Sequence, residues 1–181
     1  MEPSVENPDD SRTRALAALE LADGRTRDKR AERLVCVSAF DRIPQAVIGR
    51  YEQLALLDEV RSCFIDGRLI ATLLLAAAFI EQTLVEELES VGDLRPRHTL
   101  HHAIQSARSA GVASDELLDK ANLVRQARNP FVHFRSEGDA NRLPSRVRAR
   151  GVHQRVVVEE DAGMAVRVAY DLFRATLKSV G

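Results

Sequence analysis

Eight residues in the second half of the chain combine side chains that can bind a phosphodiester and transfer protons to and from it without a metal. The stretch "RNPFVHFR", residues 128–135, places Arg128, Asn129 and His133 around a proline. An arginine binds two phosphate oxygens and stays charged, and a histidine exchanges protons near neutral pH. Attack of an RNA 2′-hydroxyl on its own phosphate needs such a cation, a base and an acid. The stretch therefore suits phosphodiester chemistry, and Arg125 and Arg135 are placed to bind flanking phosphates.

Pro130 determines how these side chains are predicted to meet. A proline disfavours the α conformation at the residue before it, so the preceding helix should end near Arg128. Asn129 then caps a new helical segment that has Pro130 at its first position. Arg128 and His133 take the two positions that touch in a hydrophobic staple, whereas on one unbroken helix they would lie about 140° apart. The new helix N-terminus would also favour a phosphate, with His133 beside it as a general base.

The same residues have a purely structural interpretation. Arg128 and His133 would then cover helix ends, and Asn129 and Pro130 would only mark the boundary between two helices. Glu81, at the end of the most apolar run, is open to two interpretations of the same kind: a polar group in a cleft, or a carboxylate on a helix surface.

Three histidines provide the only other candidate site. His98, His101 and His102 have the i, i+3 and i, i+4 spacing that can hold zinc on a helix face. No cysteine or carboxylate cluster completes such a site, so neither a metal nor a cofactor is predicted.

Charge is unevenly spread along the chain, although the formal net charge of its 181 residues is −1. From 123 to 155, eight arginines stand against two acids, which gives +6; from 52 to 93, nine acids stand against two arginines, which gives −7. This asymmetry predicts one basic face, for which nucleic acid is the usual partner. Because 23 of the 26 basic residues are arginine, the codon bias of a GC-rich genome accounts for the pattern equally well.

Composition and periodicity predict an all-α fold. Aromatic residues make up 4% of the chain and tryptophan is absent, so the core must come from Leu, Val, Ile and Ala. We expect an antiparallel up-down bundle of four to six helices. The predicted helices span residues 12–22 (ended by Gly24), 51–65, 69–91, 99–109, 114–128 and 163–178. The twelve-residue run "LIATLLLAAAFI" (69–80) is too short to span a bilayer, so it is predicted to be the central core helix, with no membrane involved.

One domain with tails is expected at this length. Residues 1–11 are predicted to be a disordered acidic tail, 12–48 an N-terminal helical arm and 49–181 the bundle. Within the bundle, 137–162 is predicted to be a flexible basic loop, whose "RVRARGVHQR" (146–155) either follows an RNA backbone or is simply solvated. Two cysteines without ligand-like spacing, and an acidic N-terminus without a signal peptide, predict reduced thiols in a cytoplasmic protein.

The pattern from Arg128 to His133, an arginine and a polar residue followed by three residues and a histidine, resembles the signature of the HEPN superfamily. The Ala/Leu-rich helix through Glu81 and the lead-in "GVASDELLDKANLVRQARNP" are similar to that superfamily too, over roughly residues 51–135 and the last helix. The resemblance implies a helical bundle that dimerises so that two motifs face one cleft. Many members are metal-independent RNases of toxin–antitoxin or antiviral systems, and others lack activity. On this resemblance Arg128 and His133 are the catalytic pair, and Asn129 orients them.

Three functions are consistent with these features. The first is a homodimeric endoribonuclease that cuts RNA, such as tRNA or mRNA, at the dimer cleft and is restrained by an antitoxin or another partner protein. The second is a non-catalytic HEPN-like module that binds a nucleotide or a protein partner. The third is a helical scaffold whose basic loop docks on an acidic partner. The first predicts that His133→Ala abolishes cleavage without unfolding the chain, and the second predicts unchanged binding by that variant.

Overall fold

The structure, a computed structural model, describes residues 8–40, 51–93 and 99–177, and this part of the chain is entirely helix and loop. Its seven helices are α1 (Pro8–Ser38), α2 (Tyr51–Asp66), α3 (Leu69–Ser90), α4 (Leu100–Ala110), α5 (Asp115–Val132), α6 (Leu143–Arg150) and α7 (Gln154–Thr176). The predicted all-α class is confirmed. The helices outnumber the expected four to six because α6 forms in a region predicted to be a loop, and the up-down order stays a prediction.

The centre of the bundle is α3, which packs against α2, α4, α5 and α7. Its apolar residues are buried on several sides, among them Leu73, Ala76, Ala77, Phe79, Ile80 and Leu84. By length and composition α3 could cross a membrane, and half of its most apolar stretch is buried inside the bundle. The prediction of a core helix over residues 69–80 is therefore confirmed by its packing.

The first helix is a single element of 31 residues, longer than predicted. It passes through Gly24, because a glycine inside a helix costs only about 1 kcal/mol relative to alanine and the residues around it are good helix formers. Residues 8–11, predicted to be disordered, form the start of this helix. The rest of the predicted tail, 1–7, and the end of the predicted arm, 41–48, lie outside the described residues.

The C-terminal end of α1 attaches it to the bundle. Side chains from 9 to 29 are exposed, whereas Arg33 and Val37 are buried. Arg33 donates from Nε and Nη2 to Oε1 of Glu159 in α7, at 2.9 and 2.6 Å. Gly67 lies against this guanidinium with φ +77°, and a Cβ there would come within 2.8 Å of Arg33 Nη1. A glycine is therefore required at the turn between α2 and α3.

The prediction of a flexible basic loop over residues 137–162 is wrong, because most of this segment is helical. Residues 143–150 form α6, and α7 begins at Gln154 instead of near Gly163. The buried side chains in the first turns of α7 recur at helical spacing: Val157, Val158, Asp161 and Ala162. Burial of that face outweighs the strand preference of three consecutive valines.

A partly buried ion pair holds α6 on α7. Arg146 donates from Nη1 to Oδ2 and from Nη2 to Oδ1 of Asp161, each at 2.6 Å. Asp161 is buried and Arg146 is partly buried. The hydrogen bond to Asp161 raises the pKa of Arg146, so the guanidinium stays charged. Two arginines of the stretch predicted either to follow an RNA backbone or to be solvated thus bind acids of α7, since Arg150 Nη1 also pairs with Glu160 Oε2 at 2.6 Å.

Replacing Arg146 by alanine is expected to lower the free energy of unfolding by about 3 kcal/mol, because the buried carboxylate loses its partner. Urea denaturation of the purified chain would measure this change. Arg148→Ala is the matched control, since Arg148 is an exposed arginine of the same helix. Equal denaturation midpoints for the two variants would show that the Arg146 pair does not stabilise the fold.

Candidate active site

The helix that carries the motif does not break where the sequence predicts. Pro130 lies inside α5, which continues to Val132, and Asn129 is a helical residue, not an N-cap. His133 is the C-cap residue, with φ −130° and ψ 137°, and its N–H donates to Asn129 O at 2.9 Å. Pro130 has no N–H to donate to Gln126 O, and α5 continues past it for only two residues, so one helical hydrogen bond is missing near its end. The predicted helix N-terminus beside His133 is therefore absent.

The predicted residues nevertheless meet in one cavity of about 350 Å³ at the C-terminal end of α5. Five of the side chains that line it are those singled out in the sequence: Arg125, Arg128, Asn129, His133 and Arg135. The others are Glu81 from α3, Thr99, Leu100 and His101 at the start of α4, and Val132. Three guanidiniums and two imidazoles thus share the cavity with a single carboxylate among the described residues.

The Asn129 amide lies between the arginine side chains of the cavity. The residue is 9% exposed, and its amide makes most contacts when the nitrogen donates to Arg125 O, at 3.1 Å. The amide oxygen then accepts from Arg125 Nη1 at 3.1 Å and from Arg135 Nη2 at 3.2 Å. The opposite orientation offers one longer contact, from Arg128 Nη1 at 3.4 Å, and we favour the orientation with three hydrogen bonds. In this orientation Asn129 positions Arg125 and Arg135, and its role in orienting Arg128 and His133 stays a prediction.

The three guanidiniums are held close together despite their like charge. Burial, and then the positive charges of Arg135 and Arg128, lower the pKa of Arg125. Arg125 Nε also donates to Asn122 Oδ1 at 2.9 Å. Like charges gathered around one amide oxygen are costly without an anion, so the cluster is suited to binding one.

Glu81 lines the cavity. The structure therefore favours a polar group in a cleft over a carboxylate on a helix surface. Glu81 Oε2 lies 3.9 Å from Arg128 Nη2, with 29% and 22% of the two side chains exposed. This separation is at the limit of an ion pair, so Arg128 is oriented by Glu81 without being held in a tight bidentate contact. Arg135 Nη1 likewise lies 3.7 Å from Asp139 Oδ2, which is also a long ion pair.

A helix N-terminus does reach the cavity, but it belongs to α4. Thr99 is the N-cap, and its hydroxyl accepts from His102 N at 3.3 Å. Leu100 and His101 form the first turn and line the cavity. N–H groups in a first helical turn lack intrahelical acceptors and favour an anion. The sequence predicts a helix N-terminus at Asn129 beside this site. The helix N-terminus found at the cavity is that of α4 instead.

Sequence reasoning missed two features of this region. Phe134 directly follows His133 and is 97% exposed, an exposure that the sequence pattern does not reveal. His101 was considered only as a zinc ligand. Among the described residues no group of three or more His, Cys, Asp or Glu could hold a metal ion, and His98 lies outside them.

A larger cavity of about 590 Å³ lies between the α2–α3 turn and the start of α7. It contains Arg68, Arg155 and His153, but the imidazole Nδ1 of His153 accepts from Arg155 N at 3.1 Å and caps α7. The smaller cavity is the stronger candidate because it gathers three arginines and two histidines whose imidazoles cap no helix.

Comparison of the chain with protein-family models, with curated proteins and with solved structures found no match.

Proposed function

We propose that this chain is an endoribonuclease of HEPN type that cleaves RNA at the cavity around Arg128 and His133. The observation that carries the proposal is the gathering of three arginines with His133 in one cavity. The proposal includes a homodimer in which two cavities share a cleft, a cytoplasmic location, and a role as a toxin or antiviral effector restrained by a partner protein.

The cavity side chains match the needs of 2′-hydroxyl attack. The 2′-oxygen gives up its proton to a base, bonds to phosphorus and displaces the 5′-oxygen, which takes a proton from an acid. Negative charge grows on the phosphate oxygens during this step, and Arg128 is the guanidinium whose loose contact with Glu81 leaves it able to bind them. Arg125 and Arg135, fixed on Asn129, are suited to flanking phosphates. The products are a 2′,3′-cyclic phosphate and a 5′-hydroxyl.

The surface beside the cavity favours a single strand over a duplex. Phe134 stands in solvent next to His133, with Val132 at the cavity edge 43% exposed. Unpaired bases stack on exposed aromatic side chains irrespective of sequence. A base adjoining the scissile phosphate would stack on Phe134, which places the target in a loop, a bulge or an unpaired tail of RNA.

Phe134→Ala is expected to weaken binding of single-stranded RNA by about 1–3 kcal/mol, the usual contribution of one stacked base. Fluorescence anisotropy with a labelled oligonucleotide would measure the change. Tyr51→Ala is the matched control, because Tyr51 is an exposed aromatic at the start of α2 that does not line the cavity. Equal losses of affinity in the two variants would argue against a stacking role for Phe134.

The alternative is a module that binds a nucleotide without cleaving RNA. The cavity volume, about 350 Å³, lies in the range of small-molecule sites, and its three arginines suit a nucleotide phosphate. Under this alternative a nucleotide binds to the chain and no RNA is cut.

A substrate lacking one hydroxyl tests the proposal. The cut positions of the wild-type chain on a labelled single-stranded RNA are mapped in EDTA, and a 2′-deoxynucleotide is then placed immediately 5′ of the main cut. Cleavage at that position should disappear while neighbouring cuts persist. No cleavage of any RNA, or an unchanged cut beside the 2′-deoxynucleotide, would contradict the proposal.

A further inference from the structure

We propose that His101 and His133 of the same chain form the acid–base pair of the cavity, so that each chain carries a complete set of proton-transfer groups. This inference rests on the proposed function. It differs from an arrangement in which the two histidines come from the same motif in two chains of a dimer.

The placement of His101 is the basis of this assignment. His101 lies in the first turn of α4 and His133 just past the last turn of α5, and both side chains line one cavity with Arg128. Both residues are exposed, so their imidazoles can exchange protons with a substrate and with water. Within the described chain neither imidazole makes a hydrogen bond to another protein group, so neither is committed to supporting the fold.

His102 provides an internal comparison. It is the next residue of α4, it is also exposed, and its ring centroid lies 5.8 Å from that of His101. His101 lines the cavity and His102 does not. The two adjacent histidines of α4 thus differ in whether they line the cavity, and the inference depends on that difference.

Two imidazoles complete the proton balance of the reaction. One takes the proton of the 2′-hydroxyl as the O2′–P bond forms, and the other gives a proton to the 5′-oxygen as the P–O5′ bond breaks. The net charge of the pair is unchanged by the step, and Arg128 takes no part in the proton transfers. A single imidazole would have to exchange protons at both oxygens in one step.

Single-turnover cleavage across a range of pH tests this pair. His101→Ala should cleave about 100-fold more slowly than the wild type and lose one limb of a bell-shaped pH profile. His102→Ala should keep the wild-type rate and profile. A wild-type rate and profile for His101→Ala would overturn this inference and leave the proposed function standing, whereas no cleavage by the wild type would overturn both.

A substrate with a p-nitrophenolate leaving group separates the two roles, since this leaving group needs no proton. Such a substrate should restore the rate of one of the two variants, His101→Ala or His133→Ala, and not that of the other. Restoration of neither or of both would contradict an acid–base pair.

Mixing the two variants tests whether the pair belongs to one chain. Equal amounts of His101→Ala and His133→Ala should remain inactive together, because every cavity still lacks one histidine. If the pair were formed across a dimer, mixed dimers would hold one intact site and activity would return. Recovery on mixing would therefore overturn the same-chain assignment.

Discussion

His133→Ala is expected to lower the single-turnover rate of RNA cleavage by about 10²–10⁴-fold, the usual contribution of a positioned acid or base. The imidazole follows the last residue of α5 and lines the cavity with Arg128. Alanine removes the proton-transfer group and leaves the hydrogen bond from the backbone N–H of residue 133 to Asn129 O available. Quenched-flow or manual single-turnover assays with excess protein would measure the rate.

The fold should survive this substitution because the His133 side chain is exposed. Urea denaturation midpoints should therefore agree between the variant and the wild type, and RNA affinity should change little. Retention of the full cleavage rate by a folded His133→Ala chain would remove this residue from the chemistry.

Arg128→Ala is expected to lower the rate by about 10²–10³-fold, because stabilisation of the charge on the phosphate oxygens is lost. The loss has a second cause, since the Glu81 carboxylate 3.9 Å from Arg128 would then face the substrate phosphate without its partner. Arg128→Lys should recover part of the rate, as an ammonium keeps the charge but not the two-pronged geometry. The measurement is again single-turnover cleavage.

The double variant Glu81→Gln with Arg128→Ala separates the two causes. It should cleave faster than Arg128→Ala alone, yet more slowly than the wild type, if Arg128 acts directly on the phosphate. Arg148→Ala, on the exposed side of α6, controls for the loss of one positive charge. A rate for Arg128→Ala equal to that of Arg148→Ala would contradict a direct role.

The sequence predicted the cavity residues that lie close together in the chain, and a position in a cleft was one of its two interpretations of Glu81. Arg125, Arg128, Asn129, His133 and Arg135 fall within eleven residues of one another, so the end of one helix brings them near a common point. The predicted helix break was wrong, because α5 continues through Pro130 to Val132 and tolerates the one backbone hydrogen bond that the proline cannot make. Two arginines instead fold onto the Asn129 amide, a contact that spacing alone does not reveal.

The remaining cavity residues depend on packing between helices. Glu81 comes from α3 and His101 from α4, and their approach to α5 is set by how the three helices bury their apolar faces. The same effect explains the error over 154–162, where buried positions at helical spacing override the strand preference of Val156–Val158. Local sequence therefore predicted the motif and the helical class, but not the partners that packing brings to them.

The most direct measurement is the cleavage of total RNA and tRNA in EDTA by the wild-type chain and by His133→Ala, with the chemistry of the product ends determined. The account predicts cleavage by the wild type that leaves 2′,3′-cyclic phosphate and 5′-hydroxyl ends, and its loss in the variant. Absence of cleavage by the folded wild-type chain, or equal cleavage by the variant, would contradict it.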